Sequence, residues 1–177
     1  DFLNEVYQAS AKARDLTHEL MALSRGSAPV KEVGSLVERL RNAARDIPPE
    51  SGILINESIS DDLWAVPHDP RKISAAFRNV VTNATEAMPQ GGTLTITASN
   101  LQMDEAQPEP GLSLKAGNHV RIFIEDQGIG IPEEHLGKIF DPYFSTKPMG
   151  AQKGMGLGLA TAYAVVKKHD GHITVNS

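Results

Sequence analysis

Apolar residues open the chain at Phe2, Val6, Ala9, Ala13, Leu16, Leu20 and Leu23, stepping alternately by four and three. That is a heptad seam, the period at which one face of a helix stays against a partner helix. The competing reading is an amphipathic helix lying on its own domain. Gly26 and Pro29 end this lead helix. A second short helix is expected over about 35–44, with Leu36, Val37 and Leu40 on one side. Ile47-Pro48-Pro49-Glu50-Ser51-Gly52 then reads as a linker and places a domain boundary near residue 46, dividing a helical lead (1–46) from an α/β body (47–177).

In the body, residues 53–59 and 63–66 predict two strands around the turn Ser60-Asp61-Asp62. Asp69 fits a helix N-cap and Pro70 the first helical position. The helix they open has an apolar face of Ile73, Phe77, Val80, Val81, Ala84 and Met88, and Pro89-Gln90-Gly91-Gly92 stops it. Residues 93–99 predict a strand with Leu94, Ile96 and Ala98 facing inward, 102–117 a polar loop, and 120–125 the next strand. A short helix is expected over 132–139, irregular chain over 140–154, and a helix over 157–169. Residues 171–175 read as the start of a strand, so further strands are expected beyond residue 177.

Composition narrows the chemistry. The chain has 177 residues, 40% hydrophobic and 22% charged, which suits an ordinary folded domain rather than a disordered or membrane-embedded one. With 0 Cys, disulfide scaffolds, thiolate metal sites and cysteine nucleophiles are excluded. A net charge of -5 argues against nonspecific nucleic-acid binding. No apolar run reaches the ~18 residues of a membrane span. The sequence starts without Met, which leaves a membrane-anchored parent open.

Three clusters carry candidate chemistry. Asp126-Gln127-Gly128-Ile129-Gly130-Ile131-Pro132 stands at a strand end, where a carboxylate accepts a hydrogen bond from an exocyclic amine and glycines let backbone approach a flat ligand. It also reads as a strand-to-helix turn with Asp as a cap. Gly154-Met155-Gly156-Leu157-Gly158-Leu159-Ala160 runs into a helix, so it offers free amides and the positive dipole end to an anion. It lacks a P-loop's Gly-Lys-Ser/Thr ending; a glycine hinge is the alternative. Asn79 and Asn83 share one face of the long helix. Their amides are either core groups bonded to backbone or ligands for a hard cation such as Mg²⁺.

Taken together and in order, these blocks resemble the ATP-binding catalytic domain of sensor histidine kinases, in the Bergerat-fold superfamily that also holds gyrase and chaperone ATPases. The matching blocks are Arg78-Asn79-Val80-Val81-Thr82-Asn83-Ala84-Thr85-Glu86-Ala87 (asparagine box), residues 126–132 (first glycine box), Phe140-Asp141-Pro142-Tyr143-Phe144-Ser145-Thr146-Lys147 (phenylalanine box) and 154–160 (second glycine box). The resemblance covers roughly residues 53–177. It implies an α/β (α+β) two-layer sandwich, a mixed sheet with helices on one face, truncated at its C-terminus. The lead resembles the second helix of that family's dimerisation hairpin.

What the resemblance implies for the site follows residue by residue. Asp126 would bind the adenine amine, with Gly128 and Gly130 shaping the pocket. Asn83, with Asn79 as helper, would hold Mg²⁺ on the ATP phosphates. Gly154, Gly156, Leu157 and Gly158 would line the phosphates, and 140–153 would be a mobile lid with Lys147 as a phosphate partner. The full protein would be a homodimer, a cytoplasmic kinase domain of a protein that is free or membrane-anchored. It would pass the γ-phosphoryl of ATP to a histidine and then to a response-regulator aspartate, with no nucleic-acid partner.

Two positions depart from the commonest pattern. Glu86 stands three residues after Asn83, where many members carry a basic residue, as in the nitrogen-regulation-like subset. His18-Glu19 has the look of a phosphoacceptor patch, but it lies on the second-helix segment, only 65 residues before Asn83. The acceptor helix is therefore expected to be absent. His68, His119, His135, His169 and His172 show no metal-ligand spacing and read as surface or strand residues. Rival readings are a water-using ATPase of the same fold, or a nucleotide-binding and dimerisation module without catalysis. In gyrase- and chaperone-like members a Glu serves as base four residues before the metal-binding Asn; here that position is Asn79, an amide that cannot take a proton from water.

Overall fold

The computed structural model describes residues 6–7, 28–104, 114–146 and 156–177. Of the lead helix expected before Gly26 it includes Val6 and Tyr7, both helical and exposed. The heptad seam and His18 thus lie outside the described residues, as do Lys147 and Gly154.

The elements run β1 (Glu32–Gly34), α1 (Val37–Arg45), a 3-10 turn (Pro49–Ser51), β2 (Ile53–Ile59), β3 (Val66–His68), α2 (Pro70–Ala87), β4 (Gly92–Met103), β5 (Gly117–Asp126), α3 (Glu133–Leu136) and α4 (Gly158–Lys168). Strands β2, β4 and β5 form a mixed sheet in the order β2-β4-β5, parallel between β2 and β4 and antiparallel between β4 and β5. Period-2 patterning makes one face of β4 apolar: Leu94, Ile96 and Ala98 are all buried. Against them pack Val81, Ala84 and Met88 of the α2 end, and Leu40, Ala43 and Ala44 of α1. A second cluster joins Leu36, Ile73 and Ala76 to Ala162 and Val165 of α4. On the opposite sheet face Leu54 and Phe123 are exposed.

Several expectations change. The core reaches back across residue 46, because α1 contributes three buried residues to it and Arg41 pairs with Glu57 of β2 at 3.2 Å. The body thus includes a helix assigned from sequence to the lead. The hairpin around residues 60–62 does not form. Ser60 to Leu63 is a turn, the Trp64 amide donates to Asn100 Oδ1 at 2.9 Å, and the strand starts only at Val66. It pairs antiparallel with β1 in a separate two-stranded sheet, Val33 opposite Pro67. Pro67 has no amide to donate, so this strand suits a short edge pairing rather than a place in the main sheet.

Strand β4 runs on to Met103 through chain expected to be loop, and β5 opens at Gly117. Residues 171–175 are not a strand: a strand exists through its ladder, and among the described residues none pairs with this segment. The α2 start is as expected. The Asp69 carboxylate accepts from the Arg71 and Lys72 amides at 3.1 and 3.2 Å, with Pro70 at the first helical position.

Candidate functional site

Asn79, Asn83 and Ala87 recur every fourth residue on α2 and share one strip of its surface. Each end of the strip is bonded to a different glycine turn. At the C-terminal end, the Ile129 amide donates to the Ala87 carbonyl at 3.1 Å, satisfying an acceptor the helix leaves open. Toward the middle of the helix, Asn79 Nδ2 donates to the Gly158 carbonyl at 3.1 Å. Eight residues of helix, about 12 Å, separate the two joints, and Asn83 stands between them. It is half-buried, and no hydrogen bond among the described residues holds its amide.

The first turn is tightly closed. Asp126 ends β5 exposed, and its Oδ1 accepts from the Gly128 amide at 2.9 Å. This turn fixes one carboxylate oxygen and leaves the other without a hydrogen bond among the described residues. A Cβ on Gly128 would sit 2.6 Å from the Ala87 carbonyl oxygen and 2.7 Å from Ala87 Cβ, so glycine is what lets the turn lie on the helix. Ile129, between the two glycines, is the most exposed large apolar residue here at 84%. Beyond it, the Ile131 amide donates to Ser177 Oγ at 2.6 Å.

The second turn joins three elements. Phe140 packs on Tyr163 of α4 with ring centroids 5.1 Å apart, and Phe144 meets His135 of α3 edge-on at 5.3 Å. The Tyr143 amide donates to the Gly156 carbonyl at 3.0 Å, with Tyr143 held at φ 67. Gly156, at φ 65, has its Cβ position filled by the main chain of Tyr143 and Phe144. Leu157, expected from sequence to line the phosphates, is 1% exposed; its side chain belongs to the core, and only its main chain faces the turn. Among the described residues, a Cβ built on Gly158 would make ordinary contact with the Asn79 side chain at 3.8 Å, so packing does not demand glycine there. Among the described residues no side chain caps α4, whose first amides have no partner within the helix.

The donor set fits a hard cation held together with an anion. Asn79 uses its amide nitrogen on Gly158, which turns its oxygen away from that bond, and Asn83 offers a second amide oxygen. Among the described residues no group of three or more His, Asp or Glu could cage a metal. Amide oxygens are acceptable ligands for Mg²⁺, which takes few protein ligands and keeps several waters.

The structure therefore brings Gly128 and Gly158 against the strip of α2 that carries Asn79 and Asn83, with Asp126 bonded to Gly128; Gly130 and Gly156 follow in the same turns but meet Ser177 and the main chain of Tyr143 and Phe144. A separate shallow groove of ≈ 360 Å³, lined by Arg39, Pro70, Arg71, Ser74, Ala75 and Arg78, holds none of them; it lies on another side of α2. Sequence reasoning missed the acceptor role of the Ala87 carbonyl, although Ala87 continues the four-residue step from Asn79. It also missed two structural histidines. His68, expected in a strand or on the surface, is strand and 2% exposed; His169 joins two helices.

Among the described residues no helix is long and apolar enough to cross a membrane. The family model described as histidine kinase-, DNA gyrase B-, and HSP90-like ATPase matches residues 68–177. Sensor kinase CckA of Brucella abortus (strain 2308) is 34% identical over 179 residues, covering 100% of this chain and 19% of its own length. The chain thus spans about a fifth of that relative. Among solved structures, the mycobacterial sensor histidine kinase MprB superposes with TM-score 0.60 at 28% identity, covering 79% of this chain and 80% of its own. Full-length ShkA in complex with AMPPNP shares the fold with TM-score 0.70 at 21% identity, over 94% of this chain and 33% of its own.

Proposed function

The chain belongs to the histidine kinase-, DNA gyrase B- and HSP90-like ATPases, and from that premise we propose that it is the ATP-binding, phosphoryl-donating part of a sensor histidine kinase. One observation carries this reading: two glycine turns more than twenty residues apart in sequence are both bonded to the asparagine strip of α2, through Ala87 and Asn79.

The roles follow from that arrangement. The free oxygen of Asp126 accepts from the purine amine, and Ile129 offers an apolar surface to the ring. The first amides of α4 and the dipole behind them receive phosphate oxygens. Asn83 and Asn79 hold Mg²⁺ through their amide oxygens; the ion supplies neutralisation of phosphate charge. Phosphoryl transfer is mostly positioning and electrostatics, and these groups position without acting as acid or base. Asn79 is engaged with Gly158 and cannot accept a proton, which favours transfer to a histidine over hydrolysis. The acceptor histidine belongs to a helix of the parent protein, a homodimer, and the phosphoryl passes on to an aspartate of a response-regulator receiver domain. Lys147 and Gly154 complete the phosphate contacts in this reading.

The test is titration of a non-hydrolysable ATP analogue with Mg²⁺ into the wild type, Asp126→Asn and Asn83→Asp. Both variants are expected to bind more weakly; unchanged affinity in both removes the site. Supplying a separate histidine-bearing helix and following label from ATP then separates the classes. Label on the helix supports the kinase, label released as phosphate supports an ATPase, and binding without either supports a module that lacks catalysis.

A further inference from the structure

Helices α2 and α4 lie antiparallel, and the polar bonds between them include two at the ends of α4. At one, Asn79 Nδ2 meets the Gly158 carbonyl, at the first residue of α4. At the other, the amide of Asp69, the N-cap of α2, donates to His169 Nε2 at 2.9 Å, just past the last residue of α4. About ten residues of helix lie between the joints on each side, roughly 15 Å. The seam between them is apolar and partly built of small residues, Ile73 and Ala76 against Ala162 and Val165. Apolar burial is non-directional. Such a seam resists separation of the helices and does little against sliding along them; the directional bonds at its ends set the axial register.

The geometry also decides the state of His169. A backbone amide only donates, so Nε2 is the bare nitrogen, and Nδ1 carries the proton that it donates to the Val165 carbonyl at 2.7 Å. A neutral imidazole with one tautomer thus bridges the end of α4 to the start of α2. The same joint gathers the chain that leads in from the N-terminal segment. The Val30 amide donates to Asp69 Oδ2 at 3.1 Å, and Lys31 pairs with Asp170 at 2.7 Å.

We infer that His169 is a positioning residue for the nucleotide site. By holding Asp69 it fixes where α4 sits along α2, and so where Gly158 and the turn before it stand relative to Asn79 and Asn83. The inference rests on the nucleotide-binding reading above. It is tested with His169→Asn and His169→Gln. The asparagine amide reaches where Nδ1 stands and keeps the Val165 bond but not the one to Asp69, whereas the glutamine amide reaches as far as Nε2.

At a temperature where circular dichroism shows every protein fully folded, the ATP analogue with Mg²⁺ should bind His169→Asn roughly tenfold more weakly, with His169→Gln close to wild type. A purely structural role would lower the melting temperature and leave these affinities alone. Equal affinities for Asn and wild type, or equal losses in Asn and Gln, overturn the inference. A wild type that binds no nucleotide overturns the functional reading itself, and this inference with it. One measurement needs no variant: coupling is reciprocal, so saturating nucleotide should slow hydrogen exchange at the Asp69 amide, some 15 Å from Asn79 along α2. Unchanged exchange there also overturns the inference.

Discussion

The turn at 126–130 and the start of α4 are alike in sequence, each built on alternate glycines, but the glycines serve different ends. At Gly128 the missing side chain makes room for Ala87, and at Gly156 for the main chain of Tyr143 and Phe144. Folding alone explains both. At Gly158, among the described residues, a Cβ would make only an ordinary contact with Asn79 at 3.8 Å. Packing there does not demand glycine, and in the nucleotide-binding reading proposed above its role is to leave the helix N-terminus open to phosphate. The lesson is that a glycine box mixes residues kept for close packing with residues kept for an open approach, and only the neighbours tell them apart.

Substitution can break that distinction. Gly156→Ala should be the most damaging, because a side chain there meets backbone at a positive φ; a loss of roughly 2–4 kcal/mol is expected, read from the midpoint of urea unfolding. An alanine variant as stable as the wild type would show that the turn is not closed. Gly128→Ala should cost about 1–3 kcal/mol and free the Ile129 amide from Ala87, seen as faster hydrogen exchange at Ile129. By contrast, Gly158→Ala should hold or raise stability, by up to ~1 kcal/mol, since alanine outranks glycine within a helix. Its affinity for the ATP analogue should nonetheless fall. Stability and affinity falling together would place Gly158 with the packing glycines.

The smallest effect concerns the far end of α2, the joint that sets the register of the second turn. Burial, with 8% exposure, pushes the Asp69 carboxyl up, but amide donation from Lys72, Val30 and Arg71 outweighs it and leaves its pKa below the ordinary value of 3.8. A depressed folded value means the stabilisation is complete above the unfolded pKa of about 3.9. It is lost as pH falls through the folded value. Unfolding followed against pH should show the wild type roughly 0.3–1 kcal/mol more stable than Asp69→Asn at neutral pH, with the gap closing in acid. A constant gap would mean that the carboxylate charge contributes nothing.

How much of this was legible in the chain depends on the range of each signal. The α2 cap was readable because Asp69-Pro70 acts on the next three residues, and the buried face of β4 because Leu94, Ile96 and Ala98 alternate. The candidate site residues stood out in the chain as four boxes in order. That Leu157 is core was not, since a leucine between glycines has no periodicity to betray which way it points.

Local spacing thus determined by itself where most helices and strands form, which residues face inward, and which polar groups interrupt apolar faces. Only the tertiary structure decided that β3 pairs with β1 and not with β2, that α1 joins the core, and that Asp69 meets His169 across 100 residues of chain. The physical reason is that helical and strand periods of 3.6 and 2 are written in neighbouring residues. The choice of partner depends instead on which surfaces the whole chain leaves free once its longest strands have paired and its helices have buried their apolar sides.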